Sequence, residues 1–300
     1  MNNFHNPVLL YDCIDNLNIN ENGIYVDATF GGGGHSLAIL NKIKSGKVIA
    51  FDQDGDAILR NQANDKRLTI LNQNFKYLKN GLDSLGISKI DGLIADLGVS
   101  SYQLDTDHRG FSFNSKSDLD MRMNQKSNIC AKQIINSYKE VDLNKLFKEY
   151  ADFKNPSRIS SVIIKNRAIK EIKSVSDLTS ILSEIFKGPK KNKLLARAFQ
   201  AIRIEVNKEI ECLKELLLST INVLNTNGRI VVISYHSVED RIIKNFFKYG
   251  GFNSFPRSNI YKNEPSPFKV ITKKPIKASP VEIKNNSRAR SARLRVAQLI

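Results

Sequence analysis

The chain has 300 residues, 41% of them hydrophobic and 25% charged, the composition of a globular protein of about two domains. Its 46 Lys and Arg against 30 Asp and Glu leave a formal charge of +16, the electrostatic footprint of a nucleic-acid binder where that charge is concentrated. No apolar run approaches the roughly 20 residues of a membrane span. Cys13, Cys130 and Cys212 are too scattered for a disulfide framework or a metal site, so a cytoplasmic protein without a structural metal is expected.

The segment His5-Asn6-Pro7-Val8-Leu9-Leu10 precedes the first strand and is expected to lie across the edge of a sheet. Gly23-Ile24-Tyr25-Val26 reads as a buried strand, and Ser36 to Ile43 as a helix. Between them runs Asp27-Ala28-Thr29-Phe30-Gly31-Gly32-Gly33-Gly34-His35. Strand, glycines and helix make the first turn of a nucleotide-binding α/β sheet, where glycines let the backbone approach a ligand. Lys47-Val48-Ile49-Ala50-Phe51 is a second strand ending on Asp52, 19 positions after Gly33, where such folds bind the ribose hydroxyls of an adenosine. The pattern G-x-G-x-x-G fails at Ser36, and Asp27 beside the loop disfavours a pyrophosphate. A cationic ligand, such as the amino-acid end of S-adenosylmethionine, suits it better. No phosphate loop of the form G-x-x-x-x-G-K-[ST] occurs.

Asp56 to Ala63 reads as helical and Leu68 to Phe75 as a third strand, closing on Phe75 where an aromatic can lie against an adenine or simply pack. Tyr77, Leu78, Leu82 and Leu85 mark a helix ended by Gly86. Strand four, Ile90 to Ala95, ends on Asp96-Leu97-Gly98-Val99-Ser100-Ser101. Because ligands bind beyond strand ends where the order reverses, Asp96 is placed opposite the glycine loop. Beyond His108-Arg109-Gly110-Phe111-Ser112-Phe113 the strand pattern stops. The apolar spacing predicts a helix capped by Asp142, a second through Ile159, Val162 and Ile169, and a third capped by Ser176. We assign residues 111–196 to an inserted helical domain, with 1–110 and 197–300 forming the sheet domain. One long helix follows along Val206, Ile210, Leu213, Leu217, Ile221 and Leu224. Arg229 to Ser234 is strand five, closing on Tyr235-His236-Ser237-Val238-Glu239-Asp240. Lys269–Thr272 and Leu294–Ala297 are expected as an antiparallel edge pair. From Arg257 to Ile300 there are 11 Lys and Arg against two acids. The run Ser287-Arg288-Ala289-Arg290-Ser291-Ala292-Arg293 is therefore expected to contact RNA phosphates.

Taken together, Asp27-x-Thr29-x-Gly31-x-Gly33-Gly34-His35, Asp96-Leu97-Gly98-Val99-Ser100-Ser101-x-Gln103, Arg109-Gly110-Phe111-Ser112-Phe113, Leu119-Asp120-Met121-Arg122-Met123, Arg203-Ile204-x-Val206-Asn207 and Ser234-Tyr235-His236-Ser237-x-Glu239-Asp240 resemble the MraW/RsmH methyltransferases over nearly the whole chain. The resemblance implies a class I, Rossmann-like methyltransferase sheet with a helical insertion between strands four and five. It also implies methylation of the exocyclic N4 of a cytosine in 16S ribosomal RNA, at the decoding centre, with S-adenosylmethionine as donor. Cofactor contacts are implied at Gly33, Gly34, His35, Asp52, Phe75, Asp96 and Gln103, and the helical insertion is expected to recognise RNA. Tyr235 departs from the family pattern, in which phenylalanine is commoner. For the chemistry, Asp96 and the backbone carbonyls of its loop are the candidate acceptors of an N4 hydrogen, and His236 and Glu239-Asp240 are groups that can position the base, with Tyr102, Phe111 and Phe113 available for stacking or packing. Methylation at cytosine carbon-5 would need a cysteine nucleophile at a strand tip, and none of the three cysteines occupies one. A small-molecule methyltransferase would not need the arginine-rich segment, and a non-catalytic RNA-binding module would not need Asp52 and Asp96 at strand tips. The protein is expected to act as a monomer or homodimer.

Overall fold

The computed structural model describes residues 7–60, 64–252, 258–259, 262–263 and 266–300. His5, Asn6 and the end of the helix expected through Ala63 lie outside them. The chain divides into two units, Met1–Gly98 with Ile210–Ile300, and Val99–Glu209.

The first unit is a mixed seven-stranded sheet flanked by helices. Its strands are β1 (Ile24–Asp27), β2 (Lys47–Phe51), β3 (Leu68–Leu71), β4 (Ile90–Asp96) and β5 (Leu224–Ser234). A two-residue pair, β6 (Ser258–Asn259) with β7 (Lys262–Asn263), stands apart from the sheet, which is completed by β8 (Phe268–Val270) and β9 (Arg293–Leu299). The order is β3-β2-β1-β4-β5-β9-β8, parallel from β3 to β5 and antiparallel thereafter. This is the class I methyltransferase sheet expected from the resemblance. β2 and β4 are buried almost throughout, as both faces of a parallel sheet must be when helices cover them. The two C-terminal strands pair antiparallel at one edge of the sheet as expected, with β8 outermost. β9 lies between β5 and β8 and carries Arg293 and Arg295 into the sheet.

Some local expectations are corrected. Residues before β1 form a helix, Leu10–Leu17, whose buried face is Cys13, Ile14 and Leu17. The third strand stops at Leu71, and Phe75 opens a 3-10 turn in which the Asn74 side chain accepts from Lys76 N. The single long helix is two, Lys191–Asn207 and Glu209–Val223, because Lys208 adopts a left-handed conformation with φ 51°. The Asn207 side chain enforces that break. Its Nδ2 donates to Met121 O and Arg203 O, and its Oδ1 accepts from Met123 N.

The second unit is helical: Ala131–Ser137, Glu140–Ala151, Pro156–Ile169, Val175–Ser183 and Lys191–Asn207 surround a core that includes Phe147, Ile163, Leu178, Leu182 and Ile202. It is wider at both ends than the 111–196 read from the sequence. Arg109 explains the upstream extension, since its buried guanidinium donates to the carbonyls of Arg122 and Met123 inside this unit. Two caps fall earlier than expected. Asp142 sits within the first turn of the helix beginning at Glu140, and Ser174, not Ser176, caps the helix Val175–Ser183 by a reciprocal box with Asp177.

Candidate active site

At the carboxyl ends of β1 and β2 the glycine loop is held by two carboxylates. Asp27 is buried; its Oδ2 accepts from Ser36 Oγ at 2.6 Å and its Oδ1 from Thr29 N at 3.1 Å, tying the loop to the following helix. Burial pushes its carboxyl above the ordinary range, against the opposing pull of His35 and Ser36. Asp52 accepts from Gly31 N at 2.8 Å through Oδ2 and from Asp54 N at 2.8 Å through Oδ1. Each oxygen keeps a second lone pair, so the pair of acceptors needed by two ribose hydroxyls is still available. Burial pushes Asp52 up to about 6, with the Gly31 and Asp54 amides opposing.

The four glycines divide by what surrounds them. Gly31 has φ +52° and Gly32 has nothing within 4 Å of where a Cβ would stand, so the backbone there faces open space. A Cβ on Gly33 would approach the Phe30 ring to 2.9 Å, and one on Gly34 would meet Pro7 Cγ at 2.1 Å. Gly33 and Gly34 are therefore packed from the side-chain direction, and only their backbone can meet a ligand. An open, glycine-lined backbone flanked by carboxylates fits S-adenosylmethionine, which carries a sulfonium and an ammonium.

Asp96 ends β4. Its backbone N–H donates to Thr29 Oγ1 at 2.7 Å, which anchors the strand tip to the glycine loop. Its Oδ1 accepts from the Tyr235 hydroxyl at 2.7 Å. Burial pushes this carboxyl up to about 6 despite the opposing influence of His35 and of the Tyr235 hydrogen bond. The same environment pushes the Tyr235 hydroxyl upward, so it remains a proton donor. The Tyr235 contact joins the ends of two neighbouring parallel strands, since Asp96 is paired with Ile233 across β4 and β5. Local sequence cannot reveal a bond between residues 139 positions apart.

The other expected residues fall as follows. His35 is buried on the helix Gly34–Leu40 with Nε2 3.2 Å from Val8 O, and it acts electrostatically on both Asp27 and Asp96. Phe75 is half-buried after β3. His236 caps the helix Ser237–Tyr249: Nδ1 accepts from Glu239 N at 3.4 Å, and Nε2 lies 3.0 Å from Glu239 Oε1 without hydrogen-bond alignment. Glu239 also accepts from Tyr235 N at 3.0 Å, fixing the turn that delivers both residues. Gln103 belongs to the other unit, where it is buried and closes a capping box with Ser100. Phe111 is buried within the helical unit and Phe113 packs edge-on against Phe199 at 6.2 Å, so both serve its core.

A sequence model of the MraW methylase family matches residues 2–300. Among similar proteins, the Ribosomal RNA small subunit methyltransferase H of Flavobacterium johnsoniae is 46% identical over 298 residues, covering 99% of this chain and 98% of that protein. The protein of the same name from Christiangramia forsetii is 48% identical, covering 98% of this chain and 97% of its own length. That of Karelsulcia muelleri is 45% identical and covers 99% of both chains.

Proposed function

The chain belongs to the MraW methylase family, and from that premise we propose that it methylates the exocyclic N4 of a cytosine in 16S ribosomal RNA, at the decoding centre of the small subunit. S-adenosylmethionine is the methyl donor, and when bound it supplies a methyl group on a sulfonium whose leaving group is a neutral thioether. The names of the full-length relatives support an RNA of the small subunit as substrate. The observation that carries the reading is the Asp96 carboxylate, held 2.7 Å from the Tyr235 hydroxyl on a strand tip anchored to the glycine loop.

Cytosine N4 is a weak nucleophile because its lone pair is delocalised into the ring. A carboxylate accepting one N4–H keeps electron density on nitrogen and takes up the proton as the N–C bond forms. Asp96 suits that work: with burial setting it near 6, it is largely ionised at neutral pH yet basic enough to receive a proton. Tyr235 occupies one oxygen and leaves the other for the amine. Positioning and exclusion of water supply the rest of the acceleration. In this reading Asp52 receives the ribose hydroxyls, Gly33 and Gly34 present backbone, and His35 balances the carboxylates. Phe75 lies against the adenine, Gln103 shapes the loop after β4, and His236 positions the base. The helical unit 99–209 recognises RNA, and the enzyme works in the cytoplasm on a nucleotide that must leave its stack to react.

Nucleoside mass spectrometry of 16S ribosomal RNA from cells with and without the gene tests this. The N4-methylated cytidine signal should disappear without the gene and return on complementation. An unchanged signal overturns the assignment.

A further inference from the structure

Beside Tyr235 the surface folds into a pocket of about 170 Å³ whose lining includes Tyr235, His236, Ser237, Lys277, Arg290 and Arg293. These residues come from the end of β5, from the segment before the helix Pro280–Asn285, and from the turn leading into β9. The charge there does not balance. Asp240 accepts from Arg295 Nε at 2.6 Å and from Arg293 Nη1 at 3.0 Å, so one carboxylate faces two guanidiniums. Burial alone would raise Asp240, but the two arginines outweigh it and hold it below the ordinary range, so it stays ionised and committed to them. Lys277 and Arg290 are exposed and have no acidic partner among the described residues. In the lining, the His236 ring accepts at Nδ1 from Glu239 N, which leaves its hydrogen on Nε2. That buried Nε2 lies 3.0 Å from Glu239 Oε1 without hydrogen-bond alignment, so Glu239 is a second carboxylate beside the lining, against the four cations Lys277, Arg290, Arg293 and Arg295. Ser237 opens a helix of 13 residues, whose first turn carries Glu239 and Asp240, so the positive surplus of the pocket comes from its side chains.

We propose that this pocket seats a backbone phosphate of the RNA substrate next to the nucleotide being methylated. The inference rests on the substrate reading above and adds where that substrate is gripped. Convergent donors and surplus positive charge in a concave site select a phosphate, and a solvated basic face would not enclose one. A single side chain connects the pocket to the reaction: Tyr235 lines it while its hydroxyl holds Asp96. In sequence, Lys273, Lys274 and Lys284 flank the lining residues, the spread of positive charge that a polyanion uses. The pocket also divides the arginine run. Arg290 is free to meet the phosphate, while Arg293 is half committed to Asp240.

The test uses the full chain with Lys277→Ala/Arg290→Ala against small ribosomal subunits from cells lacking the gene. Binding is measured across a salt series, with S-adenosylmethionine affinity and melting temperature beside it. Loss of the two cations that face the one seated phosphate should weaken subunit binding about tenfold and flatten the plot of log affinity against log salt by about 0.7, the value for one single-strand phosphate contact. Donor affinity and melting temperature should not change. Inorganic phosphate at constant ionic strength should compete with subunits for the wild type and not for the variant. An unchanged salt slope overturns the proposal; if phosphate still binds the wild type alone, the pocket is a free-anion site. A wild type that binds subunits through the pocket but does not methylate them would leave the phosphate site standing and sink the reaction assigned above.

Discussion

The same edge of the sheet carries two chemistries. The ends of β1, β2 and β4 present Asp27, Asp52 and Asp96, all pushed upward by burial. The end of β5, the segment before the helix Pro280–Asn285 and the entry to β9 present His236, Lys277, Arg290 and Arg293, with the Asp240 carboxylate held down by two guanidiniums. The acidic half suits a compact cation and the basic half a polyanion. The acids differ in kind as well. Asp240 is an ion-pair partner fixed in one protonation state, whereas Asp96 has no salt bridge among the described residues and, pushed up to about 6, sits near the point where it exchanges its proton. A methyl transfer from a sulfonium donor to an RNA amine needs both halves side by side. Tyr235, lining one and bonded to the other, is where they meet.

The comparison breaks most severely at Asp96. Asp96→Ala should lower turnover on saturating substrate by about 10²- to 10⁴-fold, the usual contribution of a positioned acid or base. RNA affinity, which belongs to the basic half, should stay within a factor of a few. If turnover survives, Asp96 only anchors the strand tip through its backbone bond to Thr29, and the carboxylate has no part in the chemistry.

A smaller effect is expected at Asp52. Asp52→Ala removes an acceptor worth roughly 1.5–3 kcal/mol per hydrogen bond to a charged group, so the donor's Kd should rise at least about tenfold by calorimetry. The side chain also holds the amides of Gly31 and Asp54, so the melting temperature must be followed in parallel. Donor affinity unchanged in a folded variant would place the adenosine elsewhere on the sheet.

Much of this edge was legible in the sequence because it is written in short-range pattern. Strands β1, β2 and β4, the glycine run and the acids at the strand tips all declare themselves within a few residues of one another. The basic half was visible only as composition. Whether an arginine belongs to the sheet or to solvent depends on the pairing of β9 with β5, which no local pattern encodes. The role of the Tyr235 hydroxyl is not legible in the sequence because its partner is 139 positions away. The Glu282 carboxylate that accepts from Leu9 N across 273 positions was likewise invisible. The break at Lys208 was hidden by an unbroken apolar stripe, since the Asn207 side chain that causes it bonds to a loop far upstream.

The finest test of the comparison is the pH dependence that Tyr235 imposes on Asp96. The groups acting on Asp96 are His35 and Tyr235, which favour its ionised form, and Asp27 and Glu239, which disfavour it. Catalysis needs the carboxylate, so turnover should rise as pH increases through about 6 and then level off. Tyr235→Phe deletes a hydrogen bond that favours the ionised form. The acid limb should therefore move to higher pH, by up to about one unit, since 1.36 kcal/mol corresponds to one unit. KM for RNA should change little. Stability runs the other way. A carboxyl whose folded pKa lies above its unfolded value contributes stability that is fully present below the unfolded pKa and lost as pH rises through the folded one. Asp96 therefore costs stability at neutral pH, and Asp96→Asn should melt higher than the wild type at pH 7.5 while being far less active. An acid limb that stays in place in Tyr235→Phe, measured on protein that binds donor normally, would mean that the hydroxyl only packs and that another group titrates in the wild type.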